Sequence, residues 1–411
     1  MKLTASFLRR VNRGNLCAGC GACEAIAGRN KIKIEASKDG FYRPIQLDEI
    51  CEETDTKISN VCPGLNVNFD METENEHPIW GPYISVSEAY STLPEVRYIG
   101  SSGGTLTALL IHLLENRDVD FVVHNGANKQ NPLANETVSS QIIDTIKDGA
   151  GSRYAPSSPL ADLENYLGTG KKFAFVGKPC DIAALRALQR QDERIQKQIP
   201  YMLSFFCAGV PSLNGAKKIV ERLGGATEEV ASFRYRGNGW PGHATANFQD
   251  GTERQMSYSD SWGGILSSHV QFRCKICPDG VGSFADIVCG DAWDCDDQGY
   301  PIFEERDGKS IVIARTAKGE TLLRHVCDRK VLQLDPISIS GVDAMQPGQV
   351  RRKSLVSARL LAQKFLLRPM PKYSGLCLKD AAQYASRRSR LKNFIGTIRR
   401  IILSSWRTEA L

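Results

Sequence analysis

The sequence predicts a mixed α/β protein in which a cysteine-rich amino-terminal segment precedes a core with parallel strands in a mixed sheet. Residues 171–190, KKFAFVGKPCDIAALRALQR, have the pattern of a strand, a tight turn and a helix, and residues 198–223 repeat that order. Residues 100–124 combine a glycine-rich turn, an amphipathic helix from Thr105 to about Asn116 and a β-branched strand near 120–124. Strand–turn–helix units in series are typical of a sheet with parallel strands.

We expect three parts along the chain. Residues 1–78 contain the cysteine run CAGCGAC and two short segments with a β-strand pattern, KIKIEA and FYRPIQ. They end in METENEHP, an acidic and polar segment that is expected to be a linker. Residues 79–350 form the core, and residues 351–411 form a basic helical tail. Near the end of the tail, apolar residues recur at helical spacing, with arginines and lysines between them: Leu391, Phe394, Ile395, Ile398 and Ile402.

The composition excludes some classes of protein. The net charge of +6 is mild and does not call for a nucleic-acid partner. The sequence contains no run of eighteen apolar residues that would predict a membrane span, and the basic amino terminus lacks the apolar stretch of a signal peptide. We therefore expect a cytoplasmic protein, in which thirteen clustered cysteines favour metal binding or catalysis over disulfide bonds.

The sequence CAGCGAC at residues 17–23 predicts a ferredoxin-like iron–sulfur segment. Cys17, Cys20 and Cys23 follow one another at C-x-x-C intervals, which is typical of 4Fe–4S ligation, and the glycines between them let the backbone approach the sulfur atoms. A ferredoxin would place a Cys-Pro soon after the third cysteine, but IAGRN follows here. We expect Cys62, which precedes Pro63, as the fourth ligand, with Cys51 as the alternative. A zinc knuckle is the other interpretation of this spacing.

A second cysteine group is expected at one edge of the sheet. Cys180 and Cys207 each follow a predicted strand, and the carboxyl ends of parallel strands meet at a single edge, where ligands bind in open α/β folds. Cys274 and Cys277, another C-x-x-C, could complete a second cluster there. Cys289 and Cys295 remain as substitutes, and ordinary buried cysteines are the alternative.

The glycine-rich loop GSSGGT at residues 100–105 precedes a helix, and free backbone N–H groups at a helix start bind anions. Hydroxyl donors there suit a phosphate or pyrophosphate, although a turn needed only for close helix packing is the alternative. Lys178 is expected at the same sheet edge as Cys180, where its charge would stabilise a reduced, anionic flavin. Lys178 and His124 are the candidate catalytic residues, and His243 is a further candidate proton donor.

In order along the chain, SSGGTLTALLIHLLE, GSRYAPSS, GKPCDIAALRAL, FFCAGVPS, FRYRGNGWPG and CKICPDG…ADIVCGDAW resemble the coenzyme F420 hydrogenase/dehydrogenase β-subunit family. The resemblance covers roughly residues 15–345, and CKICPDG and WGGILSSHV look closer to the 7-hydroxymethyl chlorophyll a reductase-like and bacterial branches. It implies FAD and one or two 4Fe–4S clusters, held by the two cysteine groups. The resemblance implies that ten residues bind the flavin: Ser101, Ser102, Gly103, Gly104, Thr105, Ser152, Arg153, Tyr154, Gly177 and Lys178.

The resemblance implies an oxidoreductase that passes electrons from a ferredoxin-like donor through the clusters to FAD, and then to an organic substrate or a coenzyme F420-like acceptor. An electron-transfer subunit of a larger redox complex and a zinc-stabilised binding protein are the alternatives. The expected partners are a redox protein and a small-molecule substrate. The basic helix at residues 391–402 could contact a membrane surface. The sequence is also compatible with a homo-oligomer.

Overall fold

The computed structural model describes residues 4–71, 73–296 and 301–409. Its α-helices are α1 (Ser6–Gly14), α2 (Ala22–Ala27), α3 (Glu52–Val61), α4 (Pro94–Ile99), α5 (Thr105–Glu115), α6 (Ile143–Asp148), α7 (Leu163–Leu167), α8 (Pro179–Gln189), α9 (Glu193–Gln198), α10 (Leu213–Arg222), α11 (Phe272–Lys275), α12 (Ala317–Asp328), α13 (Gly341–Met345), α14 (Pro347–Ser354), α15 (Val356–Phe365), α16 (Leu378–Ala381) and α17 (Arg387–Glu409). Shorter turns of 3₁₀ helix lie at Thr227–Glu229, Leu266–His269 and Ala382–Tyr384, and a π-helix spans Ser259–Ile265.

The strands are β1 (Ile32–Ala36), β2 (Tyr42–Gln46), β3 (Asn66–Asn68), β4 (Glu76–His77), β5 (Gly81–Pro82), β6 (Ser85–Ser91), β7 (Phe121–Ala127), β8 (Asn135–Ser140), β9 (Phe173–Gly177), β10 (Tyr201–Phe205), β11 (Val230–Arg234), β12 (His243–Phe248), β13 (Glu253–Ser257), β14 (Ile287–Asp291), β15 (Ser310–Ala314), β16 (Leu332–Pro336) and β17 (Lys372–Ser374).

Eight of these strands form the central sheet, in the order β16-β6-β15-β14-β10-β9-β7-β8. The four middle strands β14, β10, β9 and β7 run parallel to one another, and the outer strands pair antiparallel. The prediction of a mixed α/β core with a mixed sheet is therefore confirmed. The carboxyl ends of the four parallel strands meet at one edge, and this edge carries the residues of the candidate site.

Helices cover both faces of the sheet because its strands are apolar on both sides. In β9, Phe173 and Phe175 pack on one face with α8, whereas Ala174 and Val176 pack on the other face with α5 and α12. The predicted helix from Thr105 forms as α5, with seven of its eleven side chains buried. This two-sided packing makes the sheet a rigid support for the loops at its edge.

The amino-terminal segment and the carboxyl-terminal tail meet in space. The predicted β pair forms as the antiparallel hairpin β1–β2, and β3 pairs in parallel with β17 of the tail. Helix α17 packs beside α15 through the rings of Phe394 and Phe365, whose centroids are 6.0 Å apart. The residues predicted as a linker end in β4, which pairs with β5, and Glu72 lies outside the described residues. No helix in the described parts of the chain has the length and apolar character needed to span a bilayer.

Candidate functional site

Four cysteines from two segments line one small cavity in the amino-terminal part, here called the first cysteine cavity. Cys17 and Cys20 come from the loop that leads into α2, Cys23 lies in the first turn of α2, and Cys62 caps the carboxyl end of α3. The loop is held by the backbone N–H of Gly19, which donates to Cys17 Sγ at 3.3 Å. The rest of the wall is apolar, with Phe7, Ile26 and Ile58 among its residues. This donor set suits a group larger than a single ion, because the thiols surround a space.

Cys51, the alternative fourth ligand, lies outside this cavity. It caps the other end of α3, is exposed, and its Sγ lies 3.1 Å from Thr54 Oγ1. The structure therefore brings Cys62, and not Cys51, to the three clustered cysteines. Burial raises the pKa of Cys62 to about 11, and the nearby Cys17 thiol acts in the same direction. Binding of iron would have to displace these protons.

The second cysteine group also converges on one small cavity, here called the second cysteine cavity. Cys180 lies in the first turn of α8, Cys207 follows β10, and Cys274 and Cys277 lie in and just after α11. The backbone N–H of Val210 donates to Cys274 Sγ at 3.4 Å, and Cys277 Sγ donates to Asp279 O at 3.4 Å. All four cysteines expected in the second group thus line one cavity at this sheet edge. Burial, followed by the neighbouring Cys274 thiol, raises the pKa of Cys207 to about 12.

Two arginines complete the wall of the second cysteine cavity. Arg273 is buried and donates to Pro63 O at 2.7 Å, so it connects this cavity to the Cys62-Pro63 turn of the first. Arg352, from α14 of the tail, donates to the carbonyl oxygens of Ala208 and Cys274. Guanidinium groups beside this cavity, one buried and one half-buried, would favour the negative charge of a thiolate-ligated cluster.

Among the described residues, histidine, cysteine, aspartate and glutamate side chains form no group of three or more arranged to hold a metal ion. The sulfur ligands of one zinc ion would lie about 3.8 Å apart, given Zn–S bonds of about 2.3 Å. A cubane cluster is larger, and it needs thiols spread around a cavity. Cys17, Cys20, Cys23 and Cys62 line one cavity, and the four cysteines of the second group line another.

A large cavity of about 290 Å³ lies at the carboxyl edge of the sheet. Eight of the ten residues predicted to bind the flavin line it: Ser101, Ser102, Gly104, Thr105, Ser152, Arg153, Tyr154 and Lys178. Thr105 begins α5 and is 1% exposed, and its hydroxyl has no hydrogen-bond partner in the structure. A buried hydroxyl without a partner at a helix amino terminus fits the phosphate of a nucleotide cofactor.

Gly103 and Gly177, the other two predicted residues, do not line the large cavity. A Cβ at Gly103 would collide with the backbone oxygen of Ala89 in β6, and one at Gly177 would lie 2.9 Å from Asp181 Cβ. These glycines permit close packing at the sheet edge, which was the alternative interpretation of the glycine-rich loop. Gly104 serves both purposes, because it lines the cavity and also packs against Val96 O.

Lys178 lines the large cavity and is held in a buried ion pair. Its Nζ lies 2.8 Å from Asp181 Oδ2 and donates to Ser157 Oγ at 2.7 Å. Burial alone would lower the pKa of Lys178, but the Asp181 carboxylate and the Cys180 thiol outweigh burial and raise it. The ammonium group is therefore charged at neutral pH, at a point between the large cavity and Cys180.

His124 also lines the large cavity, from strand β7. It is buried, its Nε2 lies 2.8 Å from Ser140 Oγ, and burial lowers its pKa. The neutral ring is therefore favoured. His243 lies at the start of β12 with an exposed side chain, and it is not among the residues of the cavity wall. Arg153 is anchored by protein acceptors, including Asn135 Oδ1 at 2.7 Å and Pro132 O at 2.8 Å.

The far wall of the large cavity is lined by Tyr258, Trp262 and Trp293, which were not predicted as binding residues. Arg236, which the sequence suggested together with Arg234 for an anionic substrate or flavin site, lies against the rings of Tyr258 and Trp293 and is 1% exposed. It pairs with Asp291 Oδ2 at 2.9 Å. One guanidinium nitrogen of Arg236 and Asp291 Oδ1 are buried without hydrogen-bond partners. The signal in the sequence was ADIVCGDAW, since Asp291 ends a strand that lies parallel to β10. Cys289 of that strand lines the large cavity and not the second cysteine cavity, and Cys295 lines neither.

The three cavities lie in series and share walls. Ala18 lines both cysteine cavities. Cys207, Gly209 and Val210 line both the second cysteine cavity and the large cavity. Each cavity is therefore adjacent to the next along this edge of the molecule.

Two sequence models of one family match this chain. The model described as "Coenzyme F420 hydrogenase/dehydrogenase, beta subunit N-term" matches residues 86–164, and the companion model of the carboxyl terminus of the same beta subunit matches residues 170–340. Together they cover more than half of the chain, including the large cavity's glycine loop and the second cysteine group. The first cysteine group and the tail lie outside both matches.

Curated relatives are distant in sequence. Coenzyme F420-dependent sulfite reductase from Methanocaldococcus jannaschii is 24% identical over 345 residues, which are 80% of this chain and 49% of the relative. The chain thus spans about half the length of that relative. Coenzyme F420 hydrogenase subunit beta from Methanothermobacter thermautotrophicus is 23% identical over 71% of this chain and 99% of its own length. A subunit of the F(420)H(2) dehydrogenase from Methanosarcina mazei is 22% identical over 80% of this chain and 87% of its own length.

A solved structure has a similar fold. A chain of the F420-reducing NiFe hydrogenase complex from Methanosarcina barkeri, determined as a xenon derivative, aligns with a TM-score of 0.56 and 20% identity. The alignment covers 72% of this chain and 98% of that chain. The α/β core is therefore a known architecture.

Proposed function

Because the chain belongs to the coenzyme F420 hydrogenase/dehydrogenase β-subunit family, a family of oxidoreductases, we propose that it is an iron–sulfur flavoprotein that reduces or oxidises an organic substrate. In this proposal Cys17, Cys20, Cys23 and Cys62 hold one 4Fe–4S cluster, and Cys180, Cys207, Cys274 and Cys277 hold another. Clusters exchange single electrons and a flavin exchanges two, so the bound groups would connect a one-electron donor to two-electron chemistry.

The observation that carries this proposal is the series of three cavities with shared walls. Eight cysteines, widely separated in sequence, converge in two sets of four, and the second set shares Cys207 with the large cavity. Cysteines that serve only to pack a core are not expected to converge in sets of four beside a cavity that is lined by the amino terminus of a helix. A hydride acceptor and its electron donors need this proximity.

The protein's own residues would bind and orient the reactants. Ser101, Ser102 and Thr105 would hold the phosphate groups of FAD at the start of α5, and the charged Lys178 would stabilise negative charge on the reduced ring. His124, neutral and hydrogen-bonded to Ser140, would position the bound molecules or accept a proton from them. The catalytic roles of Lys178 and His124 remain proposals.

The aromatic far wall would bind the organic substrate. Tyr258, Trp262 and Trp293 line this side of the large cavity, and so does Asp291, whose Oδ1 lacks a hydrogen-bond partner. A flat substrate of the coenzyme F420 type that donates a hydrogen bond would suit such a wall, because aromatic side chains favour contact with rings and a buried carboxylate oxygen without a partner needs a donor. The branch of the family, and with it the substrate, stays a prediction.

A protein partner is part of the proposal. Relatives are named as subunits, and the similar solved chain belongs to a hydrogenase complex, so we infer that this chain also works with a redox partner such as a ferredoxin or a larger complex. The alternative, that the chain only transfers electrons to a partner that performs the chemistry, predicts no turnover by the isolated chain with any acceptor. Activity that returns with a co-purified partner would favour this alternative.

The test of the proposed function is the cofactor content of the anaerobically purified full-length protein. We expect about eight iron and eight sulfide per chain, from two 4Fe–4S clusters, and about one FAD. The protein should be brown, with a flavin absorption band that bleaches on reduction. A colourless protein that contains zinc and no flavin would overturn the proposal and favour a zinc-stabilised binding protein.

A further inference from the structure

Helices α15 and α17 carry several large apolar side chains that are exposed in the part of the chain that the structure describes. On α17, Leu391, Ile395 and Ile402 are 60%, 57% and 43% exposed. They recur at intervals of four and seven residues, which places them on one face of the helix. The sequence pattern grouped Phe394 with them, but the structure separates it, because Phe394 packs toward α15 while the other three face outward.

Helix α15 extends this surface. Leu361 and Phe365 lie one helical turn apart and are 57% and 69% exposed, and the ring contact of Phe365 with Phe394 joins them to α17. Leu367 and Leu403 are also exposed, at 83% and 53%. Single exposed apolar residues are normal, but a contiguous group of this size on two packed helices marks an interaction surface. We call the following exposed residues the apolar stripe: Leu361, Phe365, Leu367, Leu391, Ile395, Ile402 and Leu403.

Positive charge surrounds the apolar stripe. Residues 347–411 contain fifteen lysines and arginines but only two acidic residues, Asp380 and Glu409. With 3.6 residues per turn, Arg388, Lys392 and Arg399 lie along the flank of the α17 face, and all three are exposed. An apolar face edged by basic side chains is the pattern of a helix that lies in the plane of a membrane interface.

Two arginines of these helices, Arg359 of α15 and Arg400 of α17, also bind only neutral groups in the hydrogen bonds that the structure gives them. Arg359 donates to Lys275 O and Asn393 Oδ1, and Arg400 donates to Thr397 Oγ1. The charged groups that act on Arg359 are Arg352, Arg400 and Arg351; burial and then these like charges lower its pKa to about 10. Such a cluster gains stability when an anionic surface approaches.

We propose that the α15–α17 surface binds the interface of an anionic lipid bilayer, with the apolar stripe inserted among the acyl chains and the surrounding cations contacting lipid phosphates. The membrane is favoured over a protein partner because the surface combines a narrow apolar stripe with positive charge on its flank and below it. Both helices lie outside the residues that the family models match, so this surface is separate from the shared redox core. The proposal does not depend on the proposed function, and its test needs no substrate.

The test is sedimentation of the full-length protein with vesicles of phosphatidylglycerol and phosphatidylcholine, and with vesicles of phosphatidylcholine alone. We expect binding to the anionic vesicles, at least tenfold weaker binding to the neutral ones, and release by high salt. The triple variant Leu391→Gln, Ile395→Gln, Ile402→Gln should lose at least tenfold in affinity, because glutamine keeps the helix but removes the apolar face. Unchanged circular dichroism would show that this variant folds.

The matched control replaces three exposed isoleucines elsewhere, Ile45, Ile84 and Ile142, by glutamine. This variant should bind vesicles as the unmodified protein does. The proposal would be overturned if the unmodified protein fails to sediment with anionic vesicles, or if the α17 variant binds as well as the control. It would also be overturned if the stripe mediates self-association in sedimentation velocity runs without lipid, since a second copy would then be its occupant.

Discussion

Cys62 and Cys51 illustrate how the position of a residue at one or the other end of a helix decides its chemistry. Both flank α3, a helix of ten residues and thus about 15 Å long, and only the cysteine at its carboxyl end lines the first cysteine cavity. In the sequence the two cysteines were distinguished only by Pro63. In the structure the two cysteines differ because the carboxyl end of α3, which carries Cys62, lies beside the loop of Cys17, whereas its amino end does not.

This placement predicts different outcomes for two cysteine variants. Cys62→Ser should lower the iron content by about four atoms per chain, because a cubane cluster needs four thiolate ligands. Cys51→Ser, at an exposed position hydrogen-bonded to Thr54, should keep the full iron content. Iron and sulfide analysis of the anaerobically purified variants decides the matter, and equal iron in both variants would contradict the assignment of Cys62.

Lys178 allows a second prediction at the residue scale. Its side chain and that of Asp181 are 5% and 0% exposed, so Lys178→Met would leave a buried carboxylate unpaired and destabilise the fold by about 3–5 kcal/mol. Replacing both residues, by Lys178→Met and Asp181→Asn, should recover much of this loss. Urea denaturation of the cofactor-free proteins measures it.

The control for this pair is the exposed pair of Lys197 and Glu193, whose side chains are 73% and 85% exposed. Lys197→Met should change the stability by less than about 1 kcal/mol, because a solvated ion pair contributes little. Equal effects of Lys178→Met and Lys197→Met would show that the buried pair is not needed for the stability of the sheet edge.

At the scale of elements, the loop between α4 and α5 positions the start of α5 against the sheet. Gly103 lies where a side chain would collide with Ala89 O of β6, and it is flanked by residues that line the large cavity. The same loop thus both packs on a strand and presents Ser101, Ser102 and Thr105 to the cavity. The glycine requirement here comes from packing, and the proposed ligand contacts come from the hydroxyl groups beside it.

Gly103→Ala should therefore destabilise the protein by about 1–3 kcal/mol and weaken flavin binding, because the loop must move away from β6. Gly263→Ala is the control, since a Cβ at that position meets no atom within 4 Å. Thermal denaturation and the flavin content after purification measure the two effects. Full flavin retention by the Gly103 variant would contradict the proposed role of this loop in cofactor binding.

At the scale of the whole molecule, the tail joins the amino-terminal segment and supports both cysteine groups. Strand β17 pairs with β3, Tyr373 Oη donates to Ile276 O at 3.1 Å, and Arg352 lines the second cysteine cavity. Leu360 of α15 packs against the cluster of apolar residues around the first cysteine group. The three-part division expected along the chain remains a prediction, but these contacts make the parts interdependent.

A truncation series tests this interdependence. A chain that ends at residue 345 should lose iron at both sites, because β3 loses its partner strand and the second cysteine cavity loses Arg352. A chain that ends at residue 386 lacks only α17 and should keep its iron and flavin. If the shorter chain purified with full iron content, the tail would be dispensable for the cofactor sites.

The sequence by itself determined the α/β class, the helix that starts at Thr105, the cysteines at the strand ends and the family, because these follow from local hydrophobic patterns, strand–turn–helix order and short motifs. Only the tertiary structure decided that Cys62 lines the first cysteine cavity, that Arg236 lies against Tyr258 and Trp293, and that Leu391 and Ile395 face outward. Each of these depends on how elements distant along the chain pack together. No local pattern encodes that packing, since residues far apart in sequence become neighbours only when the sheet and its helices assemble.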